Sequence, residues 1–140
     1  MTHAFADTSF YLALLRPDDQ DHAAAHEAAA DGRTRVTTTE FVLCELGNAL
    51  CASDHRRLFG RLVDRLRTDP RVAIVQATPE VFETGLALFR SFPDKDWSIV
   101  DCISFVVMRR LRIRDALTAD RHFEQPGFRA LLRRGRRPRA

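Results

Sequence analysis

Asp7, Glu45, Asp101 and Asp120 each stand inside or just beyond an otherwise apolar segment, where an ionised carboxylate is costly unless positive charge shares its site. A divalent cation held by carboxylate oxygens meets that cost. The four acids are spread along most of the chain, so no local loop can gather them; a fold that brings together the ends of several strands and helices can. The chemistry such a cluster supports is metal-assisted attack at phosphate, in which the cation polarises a phosphoryl oxygen and generates hydroxide for in-line attack.

Each acid also has an ordinary structural reading. Asp7 in A-D-T-S suits a helix N-cap, Asp120 in T-A-D-R-H can close an Asx-turn, and Ser98-x-x-Asp101 has the form of a capping box. Against the last, the neighbours Trp97, Ser104 and Phe105 place the Asp101 charge on a largely buried side of its helix with no obvious basic partner. Glu45 has Phe41, Val42, Asn48 and Ala49 at helical spacing, which puts it beside the face that should be buried; a solvated glutamate is the alternative. One cation cluster accounts for all four acids, whereas the structural readings need four separate reasons. Glu40 competes with Glu45, but it lies in a first helical turn, where the helix dipole suffices to explain a carboxylate.

Other chemistry is less well supported. His22 and His26 share an i,i+4 face without an apparent third ligand, and His122 beside Asp120 is placed to touch substrate. No Ser or Cys has the setting of an activated nucleophile. There is no phosphate-binding Gly loop, and Asp94 and Asp96 read as solvated loop charges rather than as an acid pair that would form a phosphoenzyme. The ten Phe residues read as core, with some available to line a partner interface.

The elements that must position the acids alternate. Residues 3–6 form a short strand that runs into Asp7 and a helix over residues 10–15, ended by Pro17. An Ala-rich helix follows over 18–31, then a strand over 35–38 and a helix over 40–52 that carries Glu45. A helix over 55–68, a buried strand over 72–75 and a helix from Pro79 to about Phe92 come next. After the loop P-D-K-D, a strongly apolar helix over 99–111 carries Asp101, and a strand over 115–118 leads directly to Asp120. This βα rhythm implies a parallel sheet covered on both faces, with functional groups beyond the carboxyl ends of its strands.

The chain has 140 residues, 45% of them hydrophobic, enough for one compact domain with one core. No segment approaches the ~20 apolar residues of a membrane span and the first ten residues lack a signal-peptide pattern, so a soluble, cytoplasmic protein with no membrane partner is expected. Cys44, Cys51 and Cys102 are odd in number and have no C-x-x-C spacing; all three read as small buried hydrophobes in a reducing compartment. The net charge is +3, but six arginines fall within residues 129–140, leaving residues 1–128 at −3. A division into a domain over 1–132 and a basic tail over 133–140 follows. Arg133, Arg134, Arg136, Arg137 and Arg139 would act as an electrostatic arm for nucleic acid or as a solubilising tail.

The motifs A-D-T-S at Asp7, T-T-T-E-F-V-L-C-E-L at Glu45, S-I-V-D-C-I-S-F at Asp101 and T-A-D-R-H-F at Asp120 resemble, in order and rough spacing, those of the PIN-domain ribonucleases. Among these the chain is similar to the VapC-like toxins of bacterial type II toxin–antitoxin pairs, and E-Q-P-G-F-R-A-L-L is similar to their closing strand and tail. The resemblance runs nearly end to end. It implies a three-layer α/β/α sandwich with a short-stranded central parallel sheet, Mg²⁺ or Mn²⁺ as cofactor, RNA as substrate, a homodimer, and inhibition by a cognate antitoxin protein. It further implies an endoribonuclease in which Asp7, Asp101 and Asp120 bind one or two metal ions and Glu45 completes the site or orients water. A catalytically silent nucleic-acid-binding or regulatory module of the same fold is the alternative.

Overall fold

In the computed structural model, which describes residues 1–133, thirteen elements follow in order. They are β1 (Thr2–Ala6), α1 (Thr8–Leu15), α2 (His22–Ala30), β2 (Thr34–Thr39), α3 (Glu40–Ala49), α4 (Ser53–Thr68), β3 (Val72–Val75), α5 (Pro79–Ser91), α6 (Ile99–Leu111), β4 (Asp115–Leu117) and β5 (Arg129–Ala130), with single 3-10 turns at Arg121–Phe123 and Leu131–Arg133. The strands form one sheet in the order β3-β2-β1-β4-β5, and every pairing is parallel.

That order determines where the site lies. From β1 the chain builds outward through β2 to β3 and then returns to the other side of β1 to lay down β4 and β5, so the direction of winding reverses between β1 and β4. In an open parallel sheet the crevice at such a switch point, beyond the carboxyl ends of the strands, is where ligands collect. Asp7 follows the last residue of β1, and its backbone N–H donates to Leu117 O at the end of β4 at 3.2 Å.

The middle of the sheet is buried because its sequence is apolar on both faces: Ala4, Phe5, Ala6, Ala116 and Leu117 are all at most 2% exposed. The Thr-rich end of β2 has a separate task at each residue. Thr37 Oγ1 pairs with His3 Nε2, Thr38 Oγ1 donates to Ala6 O at 2.9 Å, and Thr39 caps α3 by accepting from Val42 N–H. The end of β1 and the start of α3 are thereby tied together, which sets the distance from Asp7 to Glu45.

Helix α6 is held by its neighbours. Gly85 of α5 lies so close to it that a Cβ there would meet Ile103 Cγ1 at 2.3 Å. At its start, Trp97, Phe105 and Phe123 form an edge-to-face series with centroids 5.2 and 4.9 Å apart, a favoured aromatic geometry. This series anchors the 3-10 turn after β4 against the first turns of α6, bringing Asp120 towards Asp101.

Two expectations change. Cys102 is buried, but Cys44 and Cys51 are exposed. Helix α3 turns Val42, Leu43 and Leu46 inward, and Leu50 at its C-cap is buried as well, while Cys44 on the helix and Cys51 just beyond its end both line a groove between α3 and α4. Of the five tail arginines, Arg133 ends the last 3-10 turn, with Nε 2.6 Å from Glu124 Oε1. Arg134, Arg136, Arg137 and Arg139 lie outside the described residues.

Candidate active site

Asp7 occupies the N-cap position of α1, but its side chain makes no capping hydrogen bond. It turns to the switch point, where Oδ2 accepts from Thr118 Oγ1 at 3.0 Å and from Ser9 Oγ at 3.4 Å. The Thr118 hydroxyl oxygen in turn accepts from the Asp120 backbone N–H at 3.0 Å, and Ser9 Oγ accepts from Ala119 N–H at 3.1 Å. Asp7 is only 4% exposed, so its carboxyl is pushed up to about 7. Burial is the main cause, then the nearby Asp101 charge and, more weakly, Glu45; the Thr8 N–H and the Thr118 hydroxyl oppose the shift.

Asp101 combines both of its expected roles. With Ser98 it closes the capping box of α6, its Oδ2 accepting from Ser98 N–H at 3.1 Å while Asp101 N–H donates to Ser98 Oγ at 3.0 Å. It also faces the cluster, and its carboxyl is raised to about 6. Burial again leads, followed among the raising influences by Asp120 and Glu45, while the Ser98 N–H and His122 hold the shift back. Asp120 closes the turn expected of it, with Oδ1 accepting from His122 N–H at 2.9 Å. Glu45, half-buried on α3, accepts a short hydrogen bond from Thr8 Oγ1. Glu40 is occupied elsewhere, its Oε1 accepting from Ala77 N–H at 2.7 Å.

The four acids therefore converge from four segments, each influencing Asp101 or influenced by it. The tightest group is Asp101, Asp120 and His122, whose ligand atoms all lie within 4.8 Å of one another. Ligands bound at ~2.0–2.6 Å to a shared cation are up to ~4–5 Å apart, so these donors fit a single divalent ion. Asp7 and Glu45 stand just outside that group, each already held by a hydroxyl. Carboxyls raised by one another's charge are what a bound cation would relieve.

Residues 4–129 match the PIN domain. The chain belongs to the PIN-domain family. It is 35% identical over 127 residues to the 23S rRNA-specific endonuclease VapC20 of Mycobacterium tuberculosis, an alignment covering 89% of this chain and 94% of that protein. Among solved structures it is similar to M. tuberculosis VapC20, described as a sarcin–ricin loop cleaving toxin, with a TM-score of 0.79, 28% identity, and 89% and 95% of the two chains covered. It shares its fold with VapBC2 from Rickettsia felis bound to a promoter DNA fragment, at a TM-score of 0.65 and 12% identity over 92% and 97% of the chains. The expected α/β architecture and VapC-like character hold.

Sequence reasoning passed over Thr8, Ser9 and Thr118, and gave His122 only a loose role beside substrate. The D-T-S and T-A-D strings held the signal, since hydroxyls flanking a carboxylate at a strand end are placed to orient it. His22 and His26 pack edge to face, with His22 Nδ1 2.8 Å from Ala13 O, and belong to no metal-sized group among the described residues.

Proposed function

We propose that this PIN-domain protein is a metal-dependent endoribonuclease, the toxin of a toxin–antitoxin pair, with Asp7, Glu45, Asp101 and Asp120 as its catalytic acids. The observation that carries this reading is the convergence of four carboxyls from separate segments at the switch point between β1 and β4, two of them pushed up towards neutrality by burial and mutual repulsion. Asp101 and Asp120 hold Mg²⁺ or Mn²⁺, with Asp7 and Glu45 completing the negative field. The ion, when bound, supplies Lewis-acid polarisation of the scissile phosphate and lowers the pKa of a water.

The chain's own residues then order the reaction. Thr118 and Ser9 fix the Asp7 carboxylate by donating to Oδ2, and Thr8 fixes Glu45, leaving the other oxygen of each to accept a proton of the attacking water. Arg121 is exposed next to Asp120 and placed to contact flanking phosphate, the contact that supplies nucleic-acid affinity.

A folded ribosomal RNA is the substrate class we infer, by similarity to VapC20. The groove between α3 and α4, about 600 Å³ and lined by Leu43, Cys44, Leu50, Phe59 and Val63, suits the amphipathic helix of an antitoxin. Phe82, Phe89 and Phe92 are 40%, 45% and 42% exposed, and this apolar stripe supports homodimerisation. No helix among the described residues is long and apolar enough to cross a membrane, in keeping with action in the cytoplasm, where ribosomes are. Purified protein incubated with ribosomal RNA and Mg²⁺, followed by sequencing of the new RNA ends, tests the reading. A discrete cut absent with Asp101→Asn is expected, and an uncut substrate that antitoxin-free protein also leaves intact in Mn²⁺ would overturn it.

A further inference from the structure

Between Asp101 and Asp120 stands a ring that four-acid chemistry does not require. His122 Nδ1 lies 3.2 Å from Asp120 Oδ1 and 3.7 Å from Asp101 Oδ2. The fold places it there: the His122 N–H is tied to Asp120 Oδ1, and the next residue, Phe123, is fully buried edge-on to Phe105 of α6. The backbone of the 3-10 turn therefore cannot carry His122 away from the two acids without pulling Phe123 from the core.

We infer that His122 is a direct ligand of the metal through Nδ1, and that it makes this centre prefer Mn²⁺ to Mg²⁺. The inference rests on the metal-dependent reading above. Mg²⁺ takes oxygen ligands in near-ideal octahedral geometry and gives up its water reluctantly, whereas first-row transition ions accept imidazole readily. Two carboxylates and a neutral imidazole form a mixed donor set that balances a divalent charge, and neutral His is the ligating form. Asp7 and Glu45, already oriented by hydroxyls, are then free for work on the water. The competing arrangement is a protonated His122 that serves as the counter-cation of Asp101 and Asp120 and must leave before metal enters.

The two arrangements differ in what touches the metal, which pulsed electron paramagnetic resonance of the Mn²⁺-loaded protein reads without any turnover. Wild type should show ¹⁴N modulation from a directly bound nitrogen, and His122→Ala should lose it. Calorimetry should find Mn²⁺ binding to His122→Ala weakened at least about tenfold, the lower end of what even an outer-shell change costs a metal site. Mg²⁺ binding should weaken less, so the Mn²⁺ preference shrinks. If the Ala variant does not fold, wild type with ¹⁵N-labelled histidine gives the same information, since the coupling must change to that of ¹⁵N. Mn²⁺ bound without nitrogen coupling, or bound more tightly by His122→Ala, would overturn the inference and leave the four-acid reading standing. Failure of wild type to bind either ion, alone or with uncleavable RNA, would overturn both.

Discussion

The Thr118 hydroxyl donates to Asp7 Oδ2 at 3.0 Å across 111 residues of sequence. Because Thr118 Oγ1 also accepts from Asp120 N–H, a single side chain at the end of β4 sets the spacing between two acids of the site.

Thr118→Val keeps the shape and removes the hydroxyl. Metal affinity and cleavage should fall ~10–100-fold, the range for losing a partner that orients a ligand, and thermal unfolding should show a loss of ~1–3 kcal/mol for the unsatisfied buried groups. Thr118→Ser should restore most of both. Unchanged metal binding in the Val variant, measured by calorimetry, would remove Thr118 from the site.

Asp7→Asn should stabilise the metal-free protein in a pH-dependent way. The Asp7 carboxyl is raised from 3.8 to about 7 in the folded chain, so between those values the folded state keeps a proton that the unfolded state has lost. Folded stability therefore drops as pH rises through that window. At pH 4 Asp7 is largely protonated in the folded chain and close to half protonated in the unfolded one, so the variant should melt close to wild type; the gap should widen through the window, and at pH 8 the variant should melt well above wild type. Equal differences at the two pH values, measured in chelator, would contradict the burial argument.

Metal binding should release protons at low pH. Asp101, raised to about 6, and Asp7, raised to about 7, must ionise before a cation can share their site. Calorimetry in buffers of different ionisation enthalpy should find protons released on Mn²⁺ binding at pH 6 and almost none at pH 8.5.

Truncation after Arg133 should leave cleavage positions unchanged while weakening RNA binding. Arg133 is kept because it is paired with Glu124. If Arg134, Arg136, Arg137 and Arg139 each contact a phosphate of single-stranded RNA, the slope of log K against log salt should become shallower by about 3, at ~0.7 per contact. An unchanged slope would assign these residues to solubility.

Gly85→Ala should be among the most disruptive single-atom additions to the fold. Its Cβ would lie 2.3 Å from Ile103 Cγ1 and 3.1 Å from Ile103 Cα, so backbone as well as side chain must shift. Overpacking of this kind costs ~1–3 kcal/mol, and because α6 carries Asp101, metal affinity should fall as well. A variant that matches wild type in both melting and metal binding would show that α5 and α6 can separate freely.

Much of this was legible where one residue type has one use. The apolar period of α6 and the Thr78-Pro79 start of α5 appear at the expected residues because packing and capping leave little alternative. The helix expected from residue 18 begins at His22, because Asp19 Oδ1 accepts from Asp21 N–H and holds a turn there. Helix α3 ends at Ala49 rather than near 52, ahead of the exposed Cys51. Cys44 misled because a residue facing a groove shares a helical period with those facing a core, and Cys51 because the helix expected to carry it stops two residues earlier. His122 was underread because its position depends on how Phe123 seats against Phe105, a contact between segments that no local pattern records.

The most direct measurement is the single-turnover rate of RNA cleavage by Asp7→Asn, Glu45→Gln, Asp101→Asn and Asp120→Asn, each in saturating Mn²⁺ and in excess chelator. If the four carboxyls form one metal-dependent catalytic unit, each variant should lose at least ~10²-fold, equivalent to about 3 kcal/mol of transition-state stabilisation. Losses in double variants should fall well short of the product of the singles, and chelator should silence wild type. Cleavage that persists in chelator, or that survives Asp101→Asn at the wild-type rate in a folded protein, would contradict the assignment.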